Sequence, residues 1–154
     1  MANTPQAAIF SSAASPHVGR IEFSEPSGGR SRGYFNCLAT FALDGEDWSV
    51  PLEMISAYRA DMLGFFEELG AETGGWEGVK EWSSEFAEMS IRATNLGEGD
   101  AVLDVHLHWP PEYEKEQTGT IHVRADELAK FAERMRAFLR MPEGGSRFIR
   151  REGR

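Results

Sequence analysis

Metal binding and catalysis both need side chains that coordinate, donate or attack, and the most suggestive set in this 154-residue sequence is built on histidine. His106 and His108 stand two apart in an alternating segment, so both leave the same face of one strand, opposite Leu103, Val105 and Leu107. A hairpin centred near residue 114 would set His106 opposite His122. A turn centred near Gly97 would set Glu88 on its other flank. Side chains facing each other across adjacent antiparallel strands lie ~5 Å apart. A row Glu88–His106–His122, with His108 on the diagonal, would then offer the imidazoles and carboxylate that hold zinc, catalytically if one coordination position stayed open. The same residues also meet the plain need of a solvated sheet face for polar side chains, and the alignment depends on both hairpin centres.

Other chemistries find less support. Cys37 is the one cysteine, which excludes a disulfide-stapled scaffold. It shares its expected face with Phe35 and Phe41, where a thiol packs rather than reacts. There is no Gly-x-Ser-x-Gly elbow and no Gly-x-x-x-x-Gly-Lys phosphate loop. Gly28-Gly29 and Gly74-Gly75 read as turns. No residue is therefore assigned a catalytic role. Trp76, Trp82 and Tyr113 are candidate interface residues, Tyr113 within the acidic loop Glu112 to Glu116. Each of these also fits a structural role, the tryptophans closing a core and the loop tipping a hairpin.

The elements that must position these groups can be read from periodicity. Ile21 and Phe23 mark a short strand. Phe35, Cys37, Ala39, Phe41 and Leu43 occupy every second position, as do Trp48, Val50, Leu52 and Met54. Asp44-Gly45 between the two runs suits a two-residue hairpin turn, which pairs Trp48 with Phe41, Val50 with Ala39, Leu52 with Cys37 and Met54 with Phe35. Pro51 points outward and lacks a donor, so its strand belongs at an edge or carries a bulge. Met62, Phe65, Phe66 and Leu69 then take helical spacing, with Asp61 as the expected N-cap and Gly70, or Gly74 and Gly75, as the stop. A linking segment holds Trp76, Gly78 and Trp82. Three further strands follow: Ala87 to Ala93, Ala101 to Trp109, and Gly119 to Val123. The last element is a helix over about 125–141 with the stripe Leu128, Phe131, Ala132, Met135, Phe138 and Leu139.

The order β-β-β-α-β-β-β-α predicts an α+β fold, an antiparallel sheet of about six strands with both helices packed on one face. The domain is expected over 18–141. It is flanked by a loose arm at 1–17, in which Ala7 to Phe10 have the pattern of an added edge strand, and by an Arg-rich tail at 142–154.

The sequence also resembles a known family. Gly64-Phe65-Phe66-Glu67-Glu68-Leu69, Trp76-Glu77-Gly78 with Trp82-Ser83, two alternating strands, and a final helix opening Ala125-Asp126-Glu127-Leu128 look like a domain-of-unknown-function family of small bacterial, actinobacterial-type proteins. The likeness covers roughly 33–140, and the turn Asn95-Leu96-Gly97-Glu98-Gly99 departs from the shorter Gly- and His-containing turn of that pattern. The resemblance implies one bacterial domain and supplies no activity, cofactor or site residue.

Charge narrows the partners. Asp and Glu number 25 against 16 Lys and Arg, a net of −9. The tail holds Arg147, Arg150, Arg151 and Arg154 against Glu143 and Glu152, so the remainder is more acidic still. Such a surface disfavours nucleic acid and anionic membranes and favours a basic protein partner. Residues 1–15 have no basic start or apolar run of signal-peptide type, and no stretch approaches the ~20 apolar residues of a membrane helix, so the cytoplasm is the expected location. The expected function is a non-enzymatic binding module, such as an immunity-type inhibitor of a basic protein. The alternative is a metal-binding protein or metal-dependent enzyme using zinc at His106, His108, His122 and Glu88.

Overall fold

The Asp44-Gly45 turn forms as the sequence requires. Both residues take positive φ, 54° and 88°, the geometry of a two-residue hairpin that matches strand twist. The computed structural model describes residues 7–12, 19–28, 34–72, 74–97, 100–109 and 114–139. The turn joins β3 (Tyr34–Leu43) to β4 (Glu46–Ile55). The expected register holds throughout: Phe41 faces Trp48, Ala39 faces Val50, Cys37 faces Leu52 and Phe35 faces Met54. β4 is an edge strand, which accommodates Pro51.

Two more strands complete this first sheet, β2 (Gly19–Gly28) and β1 (Ala7–Ser12), in the order β1-β2-β3-β4. β1 falls within the segment expected to be a loose arm. Ala8 and Phe10 alternate inward and are almost fully buried, Phe10 edge-on to Phe131 at 5.5 Å. That burial compensates the cost of ordering the segment. Residues 13–17 and the Arg-rich stretch 142–154 lie outside the described residues.

The first helix, α1 (Ser56–Ala71), starts five residues before Asp61. Asp61 is an exposed mid-helix residue and not the cap, because the chain turns straight from β4 into the helix. Ile55 precedes the helix without a side-chain cap of its own. Its backbone N–H instead donates to Glu85 Oε1 at 3.0 Å, a carboxylate brought to the positive end of the helix dipole by a distant turn.

The segment read as a linker contains a strand, β5 (Val79–Ser83), which pairs with β6 (Met89–Gly97). β5 has one fully inward side chain, Trp82, so it carries no alternation signal. The intervening turn places Ala87 at φ 63°, off the strand to which it was assigned. β7 (Asp100–His108) and β8 (Glu116–Val123) finish a second sheet in the order β5-β6-β7-β8. α2 (Ala125–Leu139) follows, and its six buried residues are the six of the expected stripe.

The fold is thus α+β; the described residues form two helices and eight antiparallel strands divided between two four-stranded sheets. Both sheets and both helices share one core. The helices lie against each other at Gly70, where an added Cβ would come within 3.0 Å of the Ala129 backbone. Phe66 is the hub of the core: its ring meets Phe23, Phe65, Trp82 and Phe131 at centroid distances of 5.1–6.2 Å. Each such ring, fully buried, contributes roughly 1.5–3 kcal/mol.

The sheets meet where glycine lets them. A Cβ on Gly119 of β8 would fall 2.6 Å from the Phe41 ring, and one on Gly19 of β2 would fall 2.1 Å from Ile121. The Trp109 indole donates to the Ser49 carbonyl at 3.0 Å and ties the end of β7 to β4. No helix among the described residues is long and apolar enough to cross a membrane.

Candidate functional site

The histidines keep the face that alternation assigned, but the rows across the sheet slip. The β7–β8 hairpin is centred near residue 112, so His106 faces Thr118, and His122 faces Val102. Four strand residues separate His106 from the level of His122, ~13 Å. The β6–β7 hairpin is centred near residue 98, so Ser90 flanks His106 and Glu88 falls before the strand. Both shifts move the register by an even number, which preserves faces while misaligning rows. The β6–β7 offset has a local cause. A bulge lies between Asn95 and Gly97, held by the Asn95 side chain, which accepts from Gly97 N–H and donates to the Asp100 carbonyl, both at 3.0 Å.

Each member of the expected row has other partners. His106 Nε2 lies 2.6 Å from Glu116 Oε1 in an exposed pair, with the His108 ring 6.2 Å away. The Glu88 carboxylate accepts from the Ser84 hydroxyl at 2.6 Å, and its backbone carbonyl accepts from His108 N–H at 2.8 Å. Among the described residues no three His, Cys, Asp or Glu side chains converge as a metal would need.

The aromatic candidates separate. Trp82 is a core residue, 7% exposed and stacked on Phe65 at 6.2 Å, so it has no face for a partner. Trp76 is half-buried against the core, its indole directed at the Ala93 carbonyl and its ring 6.0 Å beneath the Lys80 ammonium. Tyr113 lies outside the described residues. The β5–β6 turn instead presents Phe86, 58% exposed, on a loop pinned by Ser84–Glu88 and Glu85–Ile55 hydrogen bonds.

A concave site forms elsewhere, beside an irregularity in β2. Ser24 pairs with Leu38 and Ser27 with Asn36, which leaves Glu25 and Pro26 bulged out opposite Cys37. Glu25 takes φ 54° there. A cleft of about 450 Å³ lies alongside, lined by Glu25, Asn36, Cys37, Leu38, Pro51, Leu52, Glu53 and Glu88. Three carboxylates come from three separate segments, and no Lys or Arg is among the described residues that line the cleft. Other carboxylates of the body are engaged: Glu67 with Arg136, Glu68 and Glu72 with Lys80, Glu22 with Arg20. The Glu68 hydrogen bond raises the Lys80 pKa.

Cys37 meets the cleft as an almost buried thiol. Burial, with the Glu88 charge adding to it, pushes its pKa up to about 12. It is therefore protonated at neutral pH and a poor nucleophile. Ser84 is 6% exposed; its hydroxyl donates to Glu88 and accepts from Met89 N–H at 3.1 Å, a turn-fixing role. The arrangement of carboxylates can attract and hold a cation.

The cleft was not legible as a site. Glu53 opposite Asn36 follows from the hairpin register, and Pro26 after Glu25 signals a break in β2. The approach of Glu88 depends on how the second sheet packs on the first. No curated protein and no solved structure matches the chain. The model of a family of unknown function, DUF6228, matches residues 12–142, and the chain belongs to that family.

Proposed function

We propose that the protein is a non-enzymatic binding module whose acidic cleft receives a cationic segment of a basic protein partner, as an immunity-type inhibitor would. One observation carries this reading: Glu25, Glu53 and Glu88 line one concavity, and none of its other described lining residues is cationic. Exposed Asp44, Glu46 and Asp47, at the far tip of the β3–β4 hairpin, add to the acidity of the body. A field of one sign accelerates the encounter with an oppositely charged partner and is screened by salt. Leu38, Pro51 and Leu52 give the cleft an apolar part that suits the methylene stem of Arg or Lys.

Calorimetric titration with a hexaarginine peptide tests the reading. Each exposed charge pair contributes about 0.2–1 kcal/mol, so replacing all three cleft carboxylates (Glu25→Gln, Glu53→Gln, Glu88→Gln) should weaken binding about tenfold. A charge-matched control at exposed positions, Glu77→Gln with Glu114→Gln and Glu133→Gln, should change it by less than about twofold. Equal loss in both variants would reduce the effect to net charge and defeat the proposal.

A further inference from the structure

We propose that Phe86 is the apolar anchor of the interface, receiving from the basic partner an apolar side chain set two residues from an Arg or Lys that enters the cleft. The proposal rests on the cleft being the cation-binding site described above, and it adds the apolar half of the partner's chemistry.

The ring is out of keeping with the rest of the molecule. Phe86 is 58% exposed, whereas every other described phenylalanine is buried. It stands inside the β5–β6 turn, a place where polar residues and glycine are the usual occupants.

The turn that carries it is held from several sides. Ala87 N–H donates to the Ser84 carbonyl at 2.9 Å, and Ser84 N–H donates to the Met89 carbonyl at 2.8 Å. The Ser84 hydroxyl donates to Glu88, and Glu85 accepts from Ile55 N–H. Ala87 sits at φ 63°, a conformation that suits glycine and that an alanine keeps only when its surroundings impose it. A backbone fixed in this way loses little freedom when a partner covers the ring.

Place and charge select the occupant. Glu88, two residues after Phe86, lines the cleft. Glu85, one residue before it, holds the N–H of Ile55, two residues beyond the cleft's Glu53. The turn therefore runs beside the Glu53 end of the cleft, and two residues of chain span at most about 7 Å. An extended partner repeats side chains on one face at about the same interval, so a cation at Glu88 sets the residue two positions away near Phe86. Carboxylates on both sides of the ring favour an apolar side chain that is flanked by cations and disfavour one on an acidic surface.

Calorimetric titration of the full chain tests this with two peptides of equal charge, Arg-Arg-Arg-Leu-Arg-Arg and Arg-Arg-Arg-Ser-Arg-Arg. Covering a ring of this exposure is worth about five- to tenfold in affinity, so the wild type should prefer the leucine peptide by that factor. Phe86→Ala removes an exposed ring and none of the hydrogen bonds of the turn. It should bind both peptides equally, and the serine peptide within about twofold of wild type, while Phe86→Leu should retain most of the preference. Equal affinity of the wild type for both peptides, or a leucine preference that survives Phe86→Ala, would overturn the proposal. An equal loss of both peptides in Phe86→Ala would also overturn it, by making the ring a platform for guanidinium groups. Sedimentation of wild type and Phe86→Ala should agree across protein concentrations; self-association lost in the variant would assign the ring to a second copy and overturn the proposal. The cleft reading fails separately, because the serine peptide titrated against the Glu25→Gln, Glu53→Gln, Glu88→Gln variant reads the carboxylates without the apolar contact.

Discussion

Gly119 is where the two sheets touch, and replacing it with alanine measures how closely they are fitted. The added Cβ would lie 2.6 and 2.7 Å from two atoms of the Phe41 ring and 3.1 Å from Leu43. Phe41 is fully buried and stacked on Trp48 at 6.1 Å, so its ring cannot swing away without opening the junction. Forcing a methyl group into such a site costs about 1–3 kcal/mol. Restricting the unfolded chain returns about 0.5–1 kcal/mol. The net expectation is destabilisation by roughly 1–2 kcal/mol, or about 2–8 °C in Tm for a chain of this size. Urea unfolding followed by tryptophan fluorescence suits the measurement, because Trp48 reports on the junction itself. Gly64 in α1 supplies the matched control. Nothing lies within 4 Å of a Cβ placed there, so Gly64→Ala should gain up to about 1 kcal/mol from helix propensity. A smaller ring partner should relieve the clash, so Phe41→Leu with Gly119→Ala should cost less than the sum of the two single changes. A Gly119→Ala variant as stable as wild type, beside a Gly64→Ala variant that behaves as expected, would refute the close approach of the sheets.

Three other outcomes follow from the geometry. The Cys37 thiol stays protonated in the folded state up to about pH 12, whereas an exposed thiol loses its proton near pH 9.0. Above pH 9 the unfolded chain releases that proton first, so the stabilisation present below pH 9 is lost as pH rises toward 12. The slope is at most about 1.4 kcal/mol per pH unit, and Cys37→Ala should flatten the alkaline arm of urea stability measured against pH. Trp109→Phe keeps the ring and removes the indole bond to Ser49, so chemical denaturation should show a loss of about 0.5–1.5 kcal/mol, and no loss would mean the clip is replaced by water. Glu85→Ala leaves the Ile55 N–H at the start of α1 without its carboxylate and should cost about 1 kcal/mol, with amide exchange accelerated at the first turn of α1 rather than at α2.

Local periodicity determined a large part of this protein. The β3–β4 hairpin, its register and the edge placement of Pro51 follow from alternation, one Asp-Gly turn and one missing donor. The inward stripe of α2 follows from spacing alone, as do the inward faces of β6 and β7 from Met89 onward. These signals are strong because each element buries one face, and the burial period is fixed by backbone geometry. Weaker elements escaped. β5 has a single buried side chain, and α1 has a cap that comes from 30 residues away, so neither its first residue nor β5 had a local mark.

What the tertiary structure decided is which groups meet. Two loop centres moved by one and two residues, and the histidine row that the chemistry required came apart while every face stayed as expected. The division into two sheets rests on contacts at Gly19 and Gly119, residues whose importance lies in the side chain they lack. The cleft joins a bulge in β2, the outer side of the β3–β4 hairpin and the turn after β5, so its three carboxylates are distant in sequence and unrelated in pattern. Periodicity says which way a side chain points; proximity depends on register, bulges and the packing of whole layers, and those are set by the summed contacts of the folded chain.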